Sequence, residues 1–234
     1  MTLLDLLFPK TCVSCGRIGS YICPDCFLKI KTVNHPICPV CQKPSIGGKT
    51  HYSCQRPLAL DGLTSLFSYS GPIKKALRKI KFDSVFAIVP SLARLAEEEI
   101  EENEVLYNFL RKKPVVVPIP LHWLRENRRG FNQAAFFAKL VAQKWDLAFW
   151  EDLLIRKKYT LPQARLKKEE RKENVKGVFQ INKKFSSNFI SQFSRVLLVD
   201  DVWTTGATMR EAGKVLKRRG VKEVWALTLA RGGG

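Results

Sequence analysis

From residue 61 onward the apolar positions follow two alternating patterns. Short aliphatic runs predict buried strands: Leu66 to Tyr69 ahead of a Gly71-Pro72 turn, Val115 to Val117 ahead of Pro118, Val196 to Val199, and Val224 to Leu229. Between these runs, Ile73, Ala76, Leu77 and Ile80 fall on one helical face. A stretch from Ile88 to Leu110 does the same through Leu92, Leu95 and Ile100. Ala134 to Trp145 is a further predicted helix, and Thr208 to Arg219 another, stopped by Gly220. Glutamates crowd the second of these helices between Glu97 and Glu104, which marks its solvated face. Strands that alternate with helices imply a parallel sheet with helices on both faces, an α/β fold.

Residues 1–58 show neither period and are rich in Cys, Pro and Gly, so something other than a hydrophobic core must hold them. The expected division is a small Cys-rich unit over 1–58 and an α/β domain over 59–234. The closing glycines read as a frayed tail.

At 45% hydrophobic, the 234 residues can bury a real core, which excludes a disordered chain. No apolar run approaches the ~18 residues of a membrane span. The apolar start, Leu3 to Pro9, is broken by Asp5 and lacks a basic leader. No membrane span and a cytoplasmic location are therefore expected. Lys and Arg number 40 against 21 Asp and Glu, a net charge of +19 that favours polyanions through sequence-independent phosphate contacts. Residues 156–184 carry eleven of these cations against three glutamates, the composition of a surface insertion, a lid or an electrostatic footprint.

All seven cysteines lie between Cys12 and Cys54, which indicates metal binding in a reducing compartment rather than a disulfide scaffold. Cys12-x-x-Cys15, Cys23-x-x-Cys26 and Cys38-x-x-Cys41 are three knuckles, and His51-x-x-Cys54 has the same spacing. Two thiolates from one tight turn reach the same tetrahedral ion, and an imidazole nitrogen can replace a thiolate on zinc. Two structural Zn²⁺ sites are expected, the first with four thiolates and the second with three thiolates and His51. His35 is a competing donor, and interleaved pairing of the knuckles would use the same residues. A thioredoxin-type redox role is disfavoured, since one Cys-x-x-Cys pair suffices for it. Closed four-ligand zinc sites each contribute on the order of 10 kcal/mol, enough to fold a segment with almost no core.

The strand Val196 to Val199 leads into Asp200-Asp201-Val202-Trp203-Thr204-Thr205-Gly206-Ala207-Thr208. Two carboxylates reach the C-terminal edge of the sheet, where open α/β folds bind ligands. A turn of small residues then opens a helix whose free amides and positive end favour a phosphate. Thr204, Thr205 and Thr208 add hydroxyls, and Gly206 permits close backbone approach. Acids beside an anion cradle suit a ligand with both hydroxyls and a phosphate, such as ribose 5-phosphate. An ATPase strand would need a Gly-rich loop, and Gly48-Lys49-Thr50 lacks the glycine five residues earlier, where Lys43 stands.

Val196 to Thr208 resembles the phosphoribosyl-pyrophosphate (PRPP) motif of type I phosphoribosyltransferases. Further segments resemble the ComF (competence-protein) family: the knuckles, Tyr69-x-Gly71 with a basic helix to Lys81-Phe82, and Val117-Pro118-Ile119-Pro120-Leu121. Arg128-Arg129-Gly130-Phe131-Asn132-Gln133, Gln163, and Arg171-x-x-Asn174-Val175-x-Gly177-x-Phe179 complete the pattern. His51 departs from it, standing where the family usually has Cys. The resemblance implies a type I phosphoribosyltransferase-like sheet behind a double zinc ribbon. It also implies that Asp200 and Asp201 contact the ribose hydroxyls, directly or through Mg²⁺, while Thr204, Thr205, Gly206, Ala207 and Thr208 hold the 5-phosphate.

Arg125, Arg128 and Arg129 are expected on a loop after the second strand, where guanidinium groups match pyrophosphate oxygens bidentately. Lys81 would serve the same anion from the other side. The resemblance further implies a role in DNA uptake with handling of single-stranded DNA, and Tyr52 or Tyr159 are candidates for base stacking. An alternative reading is a binding protein for single-stranded DNA, in which the zinc domain docks nucleic acid or a helicase partner and the PRPP pocket is a sensor or a relic. No residue identifies an acceptor.

Overall fold

A computed structural model describes residues 9–82, 86–158, 175–186, 190 and 192–232. Tyr159, Gln163, Arg171 and Asn174 lie outside the described residues. The strands are β1 (Gly62–Ser68), β2 (Val115–Pro118), β3 (Leu154–Arg156), β4 (Phe179–Ile181), β5 (Arg195–Trp203) and β6 (Glu223–Arg231). The helices are α1 (Pro24–Phe27), α2 (Gly71–Phe82), α3 (Val89–Glu102), α4 (Glu104–Leu110), α5 (Trp123–Arg129), α6 (Gln133–Lys144) and α7 (Ala207–Arg218).

β1, β6, β5 and β2 lie side by side in that order, all parallel, with Val116 facing Leu197 and Leu198 facing Ala226. Successive strand residues point to opposite faces. Leu197, Val199, Trp225 and Leu227 therefore pack with Ile73, Leu92, Leu106 and Phe137 from α2, α3, α4 and α6. Val196, Leu198, Val224 and Ala226 pack with Met209, Ala212 and Leu216 of α7 and with Leu154 and Phe179. Both faces are covered, as the unbroken apolar runs predict.

Two expectations are corrected. The stretch from Ile88 to Leu110 is two helices, because Asn103 leaves helical geometry at φ −85° and ψ 89° and its side chain accepts the Leu106 N–H at 2.9 Å. The first strand begins at Gly62, four residues before the aliphatic run. Its polar start is buried because Thr64 Oγ1 accepts from Trp225 Nε1 at 3.0 Å and the Ser65 and Thr228 hydroxyls meet at 2.8 Å. The basic segment 156–184 is anchored at its described ends by the antiparallel pair β3–β4, with Ile155 facing Gln180.

The Cys-rich region shares edges with the sheet. Val33 N–H donates to Leu66 O at 2.9 Å and Ser68 N–H to Lys31 O at 2.8 Å, so residues 31–33 cover the open edge of β1. Gly48 (φ +76°) has room for no side chain, since a Cβ there would stand 2.0 Å from Leu63 O. Thr50 Oγ1 donates to Leu60 O at 2.5 Å. Gly48-Lys49-Thr50 is thus a connector to β1 and not a nucleotide loop. Among the described residues, no helix is long and apolar enough to cross a membrane.

Candidate active site and metal centres

Asp200 and Asp201 lie within β5, three and two residues before its end, so their side chains leave opposite faces of one strand. Asp201 is buried, on the face that α2 and α6 cover. Lys81, from the last turn of α2, places Nζ 2.6 Å from Asp201 Oδ2, and Gln133 Nε2 donates to the same oxygen at 3.2 Å. Asp200 is half-buried and turns Oδ1 back to accept the Asp201 N–H at 2.8 Å. Burial, followed by the charge of Asp201, pushes the Asp200 carboxyl up to about 7, with Lys81 opposing. Burial pulls the Lys81 ammonium down, but the charge and hydrogen bond of Asp201 together with the charge of Asp200 outweigh it and the net direction is upward. One cation thus faces two carboxylates, leaving negative charge for a divalent ion or for ligand hydroxyls. That donor set fits Mg²⁺, a hard ion that takes one or two carboxylates together with substrate phosphates.

The turn after β5 ends at Gly206, which caps α7 in the left-handed region at φ +72°. A Cβ there would also lie 2.1 Å from the Trp203 indole, so packing as well as backbone angle requires glycine. Thr205 Oγ1 accepts the Ala207 N–H at 3.4 Å. By helix geometry the Thr208 and Met209 amides precede the first intrahelical bond of α7, which the Arg210 N–H makes to Gly206 O at 2.9 Å. Thr204, Thr205, Gly206, Ala207 and Thr208 are therefore brought together with the carboxylates by one strand-turn-helix unit.

Arg125, Arg128 and Arg129 belong to α5 and not to a loop. His122 Nδ1 accepts the Leu124 N–H at its start, and Gly130 (φ +78°) ends it with its N–H on Glu126 O at 2.7 Å. A loop was expected because seven residues with three arginines and a following glycine show no apolar period. The two residues that follow Phe131, Asn132 and Gln133, are buried. Asn132 Nδ2 donates to Ile119 O at 3.1 Å while its Oδ1 accepts the Ala134 N–H at 3.0 Å, which joins the end of β2 to the start of α6. Gln133 is thereby delivered to Asp201, a contact outside the expected site set, its place in the Arg-Gly-Phe-Asn-Gln motif being the one signal the sequence carried.

A cleft of about 890 Å³ lies beyond the end of β2, lined by Pro120, Trp123, Phe149 and Trp150 with Glu126 and Glu151. Burial, then the charge of Glu151, moves the Glu126 carboxyl upward.

Two four-donor clusters form in the Cys-rich region, Cys12/Cys15/Cys23/Cys26 and Cys38/Cys41/His51/Cys54, each with its donor atoms within 4.8 Å of one another. Adjacent knuckles pair, and His35 is exposed and outside both clusters. Cys15 and Cys23 sulfurs stand 3.6 Å apart, close to the ~3.8 Å edge of a zinc–thiolate tetrahedron with ~2.3 Å bonds. His51 turns Nδ1 to Cys41 Sγ at 3.3 Å, and its Nε2 lies 2.9 Å from Pro44 O, the outer partner that orients a ligating imidazole. Burial alone would raise the Cys12 thiol, but the amides of Cys23, Cys15 and Ser14 bring it down to about 6. Cys26, despite a Ser14 hydrogen bond, is pushed up to about 11 by burial and by the neighbouring sulfurs. Thiols this close ionise together only around a cation, so both donor sets fit zinc.

Two residues outside the expected set touch the turn. Arg210 donates through Nη2 to Thr205 O and through Nη1 to Pro39 O, the latter at 2.8 Å, and Gln42 Nε2 reaches Thr205 O at 3.3 Å. Nothing in local sequence links positions 39 and 42 to 205.

Sequence comparison agrees with this division of labour. A double zinc ribbon family matches residues 3–55 and a phosphoribosyl transferase domain family matches residues 87–234. Competence protein F of Haemophilus influenzae is 30% identical over 217 residues, 90% of each chain. DNA utilization protein YhgH of Escherichia coli K12 is 28% identical over 233 residues, 95% of this chain and 98% of the relative. Competence protein ComFC of Bacillus subtilis is 25% identical over 222 residues, 90% and 84% of the two chains.

Proposed function

Because this chain belongs to the ComF family, a phosphoribosyl transferase domain behind a double zinc ribbon, we propose that it binds PRPP with Mg²⁺ at the end of β5. The observation that carries this reading is the single strand-turn-helix unit. It sets Asp200 and Asp201 beside a glycine-capped helix start. In this reading Thr204 to Thr208 hold the 5-phosphate with amides and hydroxyls, and Asp200 and Asp201 hold the ribose hydroxyls. Lys81 and Gln133 hold Asp201 in place through its Oδ2. The guanidinium chemistry of Arg125, Arg128 and Arg129, residues of the α5 segment, suits the pyrophosphate, and Lys81 would add charge to the site. Mg²⁺ would neutralise part of the pyrophosphate charge. A bond from an acceptor nucleophile to C1 of the ribose would then replace the C1–O bond to pyrophosphate, with water excluded around the centre. The acceptor is unassigned.

Isothermal titration with PRPP and Mg²⁺ tests this. Binding by the wild type and its loss in Asp200→Asn/Asp201→Asn is expected, and a wild type that binds nothing overturns the reading.

A second role is favoured by charge and by kinship. The net charge of +19, the 90%-exposed Tyr52 and relatives named for competence and DNA utilization support contact with DNA, and the proposal extends this to single-stranded DNA handled in the cytoplasm with a helicase as a partner. Residues 1–58 would be the docking unit and 59–234 the transferase unit. A gel-shift salt series with and without the zinc segment tests it, and undiminished affinity in the truncated chain removes the docking role.

A further inference from the structure

The Thr205 carbonyl, inside the turn proposed to hold phosphate, is gripped by two side chains that belong to opposite ends of the sequence. Arg210 sits on the first turn of α7 and spans from Thr205 O to Pro39 O, and Gln42 donates to the same Thr205 oxygen. Pro39 lies between Cys38 and Cys41, and Gln42 follows Cys41 directly. The direction of the Gln42 side chain is set by the knuckle itself. Gln42 holds a left-handed backbone at φ +62° with its N–H on Cys38 O at 2.9 Å, and Cys38 N–H returns to Lys43 O at 2.9 Å. On the other side the turn has no slack. Trp203 is 1% exposed, Gly206 is packed against its indole, and the Arg210 guanidinium stacks over it at 5.7 Å.

We propose that Arg210 and Gln42 are positioning residues that couple the phosphate turn to the second four-donor cluster. Ligand binding at Thr204–Thr208 and metal retention at Cys38, Cys41, His51 and Cys54 are then thermodynamically linked. This rests on the reading of the turn given above and deepens it. The first cluster is not part of the link: it docks elsewhere, with Lys75 of α2 donating to Ser14 O at 2.6 Å.

The physical reason is ordering entropy. A knuckle closed around its ion fixes Pro39 O and Gln42, which fix Thr205 O through Arg210, so the anion meets a turn already in its binding conformation. Linkage is reciprocal: whatever the metal does for the ligand, the ligand does for the metal, by a factor ordinarily of about 5 to 150.

The test follows zinc release from the full, zinc-loaded chain into a chromogenic chelator, with and without saturating ribose 5-phosphate. Two release phases are expected, of which the ligand slows one by roughly tenfold and leaves the other alone. In Arg210→Met/Gln42→Ala both zinc ions should remain bound, ribose 5-phosphate should bind roughly tenfold more weakly, and the ligand-dependent slowing should vanish. Arg210→Lys should not rescue, since one ammonium cannot replace a guanidinium that spans two carbonyls. Retained slowing in the double variant, or equal slowing of both phases, overturns the proposal.

Hydrogen exchange reads the coupling without any ligand. Amides of residues 203–207 should exchange faster in Cys54→Ala and in Arg210→Met but not in Cys15→Ala, and unchanged exchange in the first two overturns the link. If the wild type binds no ribose 5-phosphate yet this exchange pattern holds, the link stands and the PRPP reading is what fails.

Discussion

Lys81 Nζ lies 2.6 Å from Asp201 Oδ2, joining the last turn of α2 to the C-terminal end of the site strand. The pair is largely withdrawn from solvent, so removing one member leaves the other charge uncompensated. Lys81→Met should destabilise the protein by ~3–5 kcal/mol, read as a lower denaturation midpoint. Lys81→Met combined with Asp201→Asn should recover much of that loss. A single variant as stable as the wild type would show that the pair is not desolvated in solution.

Asp200 sets a pH dependence. Its folded-state pKa is raised to about 7 by burial and by Asp201, so the folded protein holds this proton where the unfolded chain has released it. Stability from this group therefore falls as pH rises from the ordinary carboxylate range through about 7, and is flat above. Asp200→Asn should raise the melting temperature at pH 8 and change it little at pH 4, while abolishing Mg²⁺-dependent PRPP binding.

The same group gives a proton count. At pH 7 it is about half protonated, and a ligand that requires the carboxylate should release roughly half a proton on binding. Titration calorimetry in buffers of different ionisation enthalpy measures this. Affinity for Mg²⁺ with PRPP should weaken as pH falls below 7.

Gly206→Ala should lose PRPP binding by at least about tenfold. A left-handed alanine costs ~1–2 kcal/mol, and its methyl would overlap the Trp203 ring at 2.1 Å. Zinc content should stay near two per chain, which separates a local effect from misfolding.

Metal removal should act on the Cys-rich region first. Its small core consists of Cys12, Cys23 and Cys26 with Ile22, and a zinc site contributes on the order of 10 kcal/mol. Chelation should raise hydrogen exchange over residues 9–58 before it does so in β5 and β6. Metal analysis should give about two zinc per chain, and His51→Ala should lower this toward one.

The recurrence of Val196 to Val199 and Val224 to Leu229, and the helical face of Ile73 to Ile80, prescribed a covered parallel sheet. Periodicity acts over a few residues, and each element reports its own burial without reference to its partners. The knuckles were legible for the same reason, because both donors of each pair come from one turn. The α5 helix was not, since its short polar sequence is held by a His122 cap and a Gly130 stop instead of an apolar stripe. The start of β1 was hidden because its buried Thr64 and half-buried Ser65 are satisfied by partners on β6, about 160 residues away.

The sequence alone determined an α/β sheet, eight candidate metal donors, and a strand that delivers two acids to a glycine-capped helix start. Tertiary structure decided which acid is neutralised, by bringing Lys81 and Gln133 to Asp201 and leaving Asp200 to burial. It decided too that Arg210 and Gln42 meet at Thr205. Both outcomes depend on charges and carbonyls set a few ångströms apart by the packing of distant segments, and no local pattern encodes that distance.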